Sequence, residues 1–510
     1  MDRQHQEEVP EVGTSADGTP EGVRPTSGTR ADGAASASAS ASASADGSAR
    51  AGGARSGGVG RRGLLGAAGG ALLAGGLLGA AGMRAADSHG GSGEVGSADP
   101  LSRSHPLRGE HQSGITTAAQ DYLFTAAFDV TTSDLEDLRT LMADWSVAAE
   151  QMTAGELVGG EPDPNPYAAP RDTGEAWGYP PSSLTITVGV GRGIFLGADG
   201  KDRFGLASRI TEVLEAGMPT FANEALQEKH SGGDIIVQAC ADDAQVAMHA
   251  IRNLTRIAFG TAALRWTQIG YGRTSSTSTA QETPRNLFGF KDGTLNVKAE
   301  DGADVLAEHL WVAEGDDGGD WLSGGTYLAL RKIRMHLEVW DRLQLGDQEA
   351  TIGRDKRYGA PLSVADPAAS RAEFTTPDYE ASEGGSPLIP ADAHIRLVSP
   401  ENNDGARMLR RGYNYTDGSD SLGRIDGGLF FAAFVRDPRA GFYPILDRMT
   451  RSDALTEYLQ HVASGLFAIL PGIGTGETMF GQRLFGVPGS AVPSAGSTAS
   501  DAGGASDSGA

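Results

Sequence analysis

Three short stretches of this 510-residue chain carry side chains whose types and spacing could do chemistry. The first is Gly289-Phe-Lys-Asp-Gly-Thr294, in which an acid, Asp292, follows two aromatics, Phe288 and Phe290. The second is DAHIRLVSPE, residues 392–401, and the third is ARMLRRGYNY, residues 406–415. A carboxylate held in a pocket can take up and return a proton. A neutral imidazole can ligate a metal. A guanidinium keeps its charge and donates to a developing anion. A plainer reading of Asp292-Gly293 is a hairpin turn between two strand-like runs. The two readings are compatible: Gly293 lets the backbone bend while Asp292 points into a pocket lined by Phe288 and Phe290.

Among the ten histidines, His394 stands apart. His5, His89, His105 and His111 lie in or beside a low-complexity N-terminal region, and His230 sits in a polar stretch. His249, His309, His336 and His461 fall in helical patterns, where packing or surface roles are the ordinary case. His394 opens an apolar, strand-like run and is followed within 17 positions by Arg396, Arg407, Arg410 and Arg411. An imidazole for iron and cations for propionates are what a haem pocket requires; a satisfied core histidine is the competing reading.

Composition narrows the function classes. The formal net charge of −24 argues against nucleic acid and anionic lipid as partners, since both call for basic surfaces. It permits cationic small molecules, although a solvated acidic surface explains it equally. The single cysteine, Cys240, excludes an intramolecular disulfide and any multi-cysteine metal site, and its apolar surroundings mark it as a small buried hydrophobe. No P-loop, GxSxG or HExxH stretch is present.

Arg61 and Arg62 precede 21 uncharged residues rich in Gly, Ala and Leu. This pattern reads as a twin-arginine export signal at about residues 60–86, the alternative being a glycine-rich membrane anchor. That route carries folded proteins, often with a cofactor already loaded, and places the protein outside the cell or in its envelope (the periplasm where there are two membranes). The organisation expected is a low-complexity region with the signal over residues 1–110, two folded halves over 111–275 and 276–486, and a low-complexity tail over 487–510.

The elements that must position these residues follow from periodicity. Strands are expected at Tyr122–Val130, 182–191, 234–240 and 263–272. Helices are expected at 132–152, capped by Ser133 or Asp134, and from a cap at Asp242 or Asp243 to 258. Strand, helix, strand, strand, helix, strand is the ferredoxin-like order. A second set is expected from strands at 326–335, 394–399, 427–437 and 465–470, with helical pieces after 336, at 441–450 and at 452–462. The fold class is therefore α+β: a duplicated ferredoxin-like fold, two facing antiparallel sheets with peripheral helices, and a pocket in the C-terminal half. No sequence repeat accompanies the duplication; it rests on element order.

Taken together, the three stretches resemble the dye-decolorising peroxidase family, particularly its exported, deferrochelatase-like branch. Gly289, Asp292 and Gly293 match that family's GxxDG motif, AHIR its proximal histidine segment, and MLRRGYNY its distal arginine segment. Residues 232–243, 352–362 and 427–438 are similar to it as well, in the expected order. The resemblance implies one haem b per chain and a peroxidase that reduces hydrogen peroxide through a ferryl intermediate while oxidising dyes, phenols or similar reductants. The alternative is an iron-acquisition protein that releases iron from haem with the porphyrin intact; a haem-binding module without turnover is the third reading. His394 would ligate the iron, and Asp292 and Arg410 would face the peroxide, with Arg411 as runner-up to Arg410. Gly293, Thr294 and Leu295 would lie against the haem, and Arg354 would reach a propionate. Ser399, Pro400 and Glu401 occupy a further haem-contact position, where Glu401 replaces an arginine usual in relatives. Asp437 is the candidate acid behind His394. The partners implied are hydrogen peroxide, small reductants and the twin-arginine machinery; a homo-oligomer and iron-uptake partners are compatible with it.

Overall fold

The structure is a computed structural model, and it describes residues 100–490. The expected signal and most of the tail lie outside the described residues. In the N-terminal half, β1 (Tyr122–Val130) leads into α1 (Leu135–Thr153), then β2 (Thr185–Val190), β3 (Ile235–Ala241), α2 (Ala244–Ile257) and β4 (Ala262–Arg273). Asp134 caps α1 through Glu136 N, and Asp243 caps α2 through Gln245 N and Val246 N. The apolar stripe of α1, from Leu138 through Leu141, Met142 and Trp145 to Met152, is buried against the sheet.

The C-terminal half repeats the scheme. It runs β5 (Thr326–Met335), α3 (His394–Leu397), β6 (Leu409–Arg410), β7 (Tyr413–Ser419), β8 (Ile425–Val435), α4 (Tyr443–Ser452) and β9 (Leu459–Ile469). Strand order is β4-β1-β3-β2 in the first half and β9-β5-β8-β7 in the second, all antiparallel. The halves are also joined edge to edge: Ala468 and Ile469 of β9 pair with Val190 and Gly189 of β2, and Tyr271 and Arg273 of β4 pair with Asn414 and Tyr413 of β7. With the β5–β8 pairing, the ladder closes on itself, and β6 continues β7 along β8.

Side-chain alternation divides the strands between two environments. Leu123, Ala127, Ile236, Cys240, Leu328, Leu330, Phe430, Ala432, Phe434 and Phe467 fill the space between the facing sheets. The other face of the first sheet packs on α1 and α2, where Phe128 and Trp145 lie 5.3 Å apart. On the other face of the second sheet, Ile333, Met335 and Leu429 join Phe288, Phe290, Trp340, Ile389 and Ile395 in a separate cluster.

Two expectations are overturned. Residues 394–399 do not form a strand; His394 opens a short helix instead, because Ala393 N donates to the Pro390 carbonyl and the Ala393 carbonyl in turn accepts from Arg396 N and Leu397 N. Residues 452–462 are not a helix: a 3-10 turn, Ala454–Tyr458, passes directly into β9, which extends further toward the N-terminus than alternation alone suggests because it carries a bulge at His461/Ala463.

Candidate functional site

The outer face of the β5–β8–β9 sheet, the short helices α3 and α4, and the 286–295 loop enclose a cavity of about 1400 Å³, open mouth included. Its walls are mainly apolar, with Ile333, Met335, Leu429, Phe431, Ile445, Leu446, Met449 and Leu455 among them. Into this lining project Asp292, Arg354, His394 and Arg410, together with Gly293, Thr294, Leu295, Ser399 and Pro400. Glu401 is exposed and outside the lining, which corrects its placement as a haem contact: Pro400 starts a 3-10 turn that turns residue 401 toward solvent.

His394 is the first residue of α3. Its Nδ1 lies 2.7 Å from Asp453 Oδ2, and the Asp453 side chain is fully buried. The other carboxylate oxygen of Asp453 accepts from Leu455 N at 2.8 Å and caps the 3-10 turn, so one acid orients the imidazole and fixes the turn. Burial opposes protonation of the His394 ring, but the Asp453 carboxylate outweighs it and raises its pKa above the ordinary value. Asp437, expected to be this acid, instead caps the helix Pro438–Gly441 and pairs with Arg439.

Asp292 sits on a turn made possible by Gly293 at φ 80°, where a Cβ would lie 2.9 Å from Ser275 Cα. Asp292 Oδ1 accepts from Arg410 Nη1 at 3.1 Å and Oδ2 from Asn286 Nδ2 at 3.2 Å. Arg410 belongs to β6, and strand alternation sends its neighbour Arg411 the other way. Arg411 is fully buried and donates to the Thr117 carbonyl and Gln120 Oε1, so it cannot serve the cavity.

Arg354 is buried among carbonyls: its Nη1 donates to Gly359 O at 2.7 Å and Glu373 O at 2.9 Å. Desolvation brings its pKa down to about 10. A second polar spot involves Arg331 and His461, on adjacent strands of the cavity floor. Arg331 pairs with Glu224, while its Nε and Nη2 and His461 Nδ1 have no hydrogen-bond partner among the described residues. Burial, with Arg331 acting in the same direction, pushes the His461 pKa down to about 4. Sequence reasoning missed Arg331, His461, Asp453 and Asn286.

These residues fit a haem. Asp453 occupies one nitrogen of His394, leaving Nε2 for iron. The walls suit a flat apolar ring, and Arg354 is a buried cation bonded through Nη1 to carbonyls, suited to a carboxylate. Among the described residues no group of three or more His, Cys, Asp and Glu could hold a bare metal ion, so a ligand set of one imidazole suits a macrocycle that supplies the remaining donors.

Residues 112–272 match the family model for the Dyp-type peroxidase N-terminal region, and residues 283–474 match that for its C-terminal region. A deferrochelatase of Escherichia coli strain K12 is 35% identical over 396 residues, covering 77% of this chain and 89% of the relative. Among solved structures, ferric DtpA from Streptomyces lividans is 37% identical with a TM-score of 0.67, over 77% of this chain and all (100%) of that one. A DyP-type peroxidase from Streptomyces coelicolor is 37% identical with a TM-score of 0.68, over 78% of this chain and 100% of that one.

Proposed function

Because this chain belongs to the Dyp-type peroxidase family, whose cofactor is haem, we propose that it is an exported haem peroxidase whose proton transfers run through Asp292, with Arg410 as the cation beside it. The observation that carries this is the Asp292–Arg410 contact at 3.1 Å in the wall of a cavity that His394 also lines. Bound haem would supply the iron that passes electrons to hydrogen peroxide and takes them back from the reductants. Asp292 takes a proton from the peroxide on a carboxylate oxygen and returns it to the departing oxygen. The Arg410 guanidinium stabilises the negative charge that develops as the oxygen–oxygen bond breaks. Asn286 holds Oδ2 of Asp292, and Asp453 engages Nδ1 of His394, so that Nε2 would be the nitrogen to take the iron. Arg354, the buried cation of the lining, would hold a propionate.

The absorption spectrum of purified protein, with and without hydrogen peroxide, tests this reading. The wild type is expected to show a Soret band that changes on peroxide addition. Asp292→Asn and Arg410→Leu should keep the band and slow the change by about 100-fold or more. Unaltered rates in both variants would remove their assigned roles. The likeness to the Escherichia coli deferrochelatase favours a second reading in which iron leaves haem and the porphyrin stays whole. Extraction of the same incubations separates the two, since metal-free porphyrin would accumulate under the second reading alone.

Export by the twin-arginine route, to the cell envelope or beyond, is supported by Arg61, Arg62 and the uncharged stretch after them. Fractionation of cells expressing the full chain and its Arg61→Lys, Arg62→Lys variant tests it; equal export of both would refute it. The division into halves at residues 111–275 and 276–486 is supported by the repeated strand order.

A further inference from the structure

We propose that Asn296 is a positioning residue for Arg410, setting the cation's backbone against the turn that carries Asp292. The inference rests on the proposed roles of those two residues. Strand β6 is two residues long and pairs with β8 on one side. Arg411 N donates to Ala432 O at 2.9 Å, so the N–H and C=O of Arg410, one residue earlier, face away from β8. No strand lies on that side, and the Asn296 side chain takes both groups. Its Oδ1 accepts from Arg410 N at 2.7 Å and its Nδ2 donates to Arg410 O at 2.8 Å.

The same Nδ2 donates to Ser276 O at 3.0 Å, and Asn296 N donates to Gly293 O at 3.2 Å. Asn296 is 3% exposed, so water does not substitute for these bonds. One residue thus ties the backbone of the cation to the turn immediately after the acid, and the 3.1 Å contact between their side chains depends on that tie. The position requires one acceptor and two donors in a single planar group, which of the short side chains only asparagine provides. An aspartate there would turn an oxygen toward two carbonyl oxygens.

The test compares haem-loaded wild type, Asn296→Asp, Arg410→Leu and the double variant. Asn296→Asp is expected to retain haem and its Soret position, since the His394 side is untouched. It should lose about 10–100-fold in the rate of reaction with hydrogen peroxide and shift the pH profile of that rate. Fluoride affinity of the ferric protein, a measurement that needs no turnover, should weaken by about 10-fold if Arg410 moves. In the Arg410→Leu background, Asn296→Asp should cost nothing further, because its effect passes through Arg410. An equal loss in both backgrounds, or wild-type rate and fluoride affinity in the single variant, overturns the proposal. Asn296→Ala, run in parallel, carries the same expectations should the aspartate variant fail to fold. A wild type that binds haem and fluoride but ignores peroxide speaks against the proposed function alone; the fluoride comparison still decides the role of Asn296.

Discussion

The two halves share a strand order but use the same sheet face differently. In the first, helices of 19 and 14 residues lie directly on the strands, and Trp145, Phe128, Ile186 and Val237 fill the layer between. In the second, the covering helices α3 and α4 have 4 and 10 residues. They cannot lay a continuous apolar stripe along the sheet, so the layer stays hollow and becomes a cavity. Repeating a framework therefore does not repeat a site. The site arises where a crossover abandons a long helix for short turns, which bring His394, Arg354 and the 399–400 segment to the rim of one space.

That contrast can be broken or sharpened by experiment. The largest effect is expected from Trp145→Ala, which empties the filled layer and removes the hydrogen bond from Trp145 Nε1 to Leu254 O at 2.9 Å. Chemical denaturation should show a loss of about 3–5 kcal/mol; a loss near zero would mean the first half tolerates a void as the second does. The next concerns His461, buried in the hollow half beside Arg331. Its imidazole takes up a proton near pH 6.5 when unfolded but only near pH 4 when folded. Between those values the unfolded chain binds more protons, so stability should fall as pH drops through that window, by up to about 3 kcal/mol. Denaturation of haem-free protein at pH 7 and pH 4.5 should show a smaller drop in His461→Gln than in wild type, and matching drops would count against it. The smallest effect is expected from Asp453→Asn, which keeps the cap to Leu455 N but removes the charge behind His394. Haem affinity should weaken by about 10–100-fold, roughly 1.4–2.8 kcal/mol. Unchanged affinity in a haem titration would show that the imidazole needs no charged partner.

Much of this was legible from local pattern, and the failures have physical causes. Apolar, β-rich runs located β1 and β5, because each lies in a sheet buried on both faces. The resemblance puts Arg410, directly after Met408-Leu409, ahead of Arg411, and the burial of Arg411 away from the cavity agrees with that choice. His394 misleads because HIRLVS has the composition of a strand, and only the preceding Pro390 and Ala393 hint at a turn. Asp453 was hidden by its distance of 59 residues from His394 and by its resemblance to an ordinary cap, which it also is. Arg331 reads as one more charge on an alternating strand, and His461 as a residue of a helix; only the pairing of β5 with β9 brings both to the cavity floor.

The circuit of strands has a mechanical consequence. With β2 bonded to β9 and β4 to β7, the two halves are tied at both edges, and hinging them apart would break those pairings. A tetrapyrrole can pass only where the hoop is not, through the short helices and the 286–295 loop that roof the hollow. Access to the hollow therefore falls to the roof and not to the hoop.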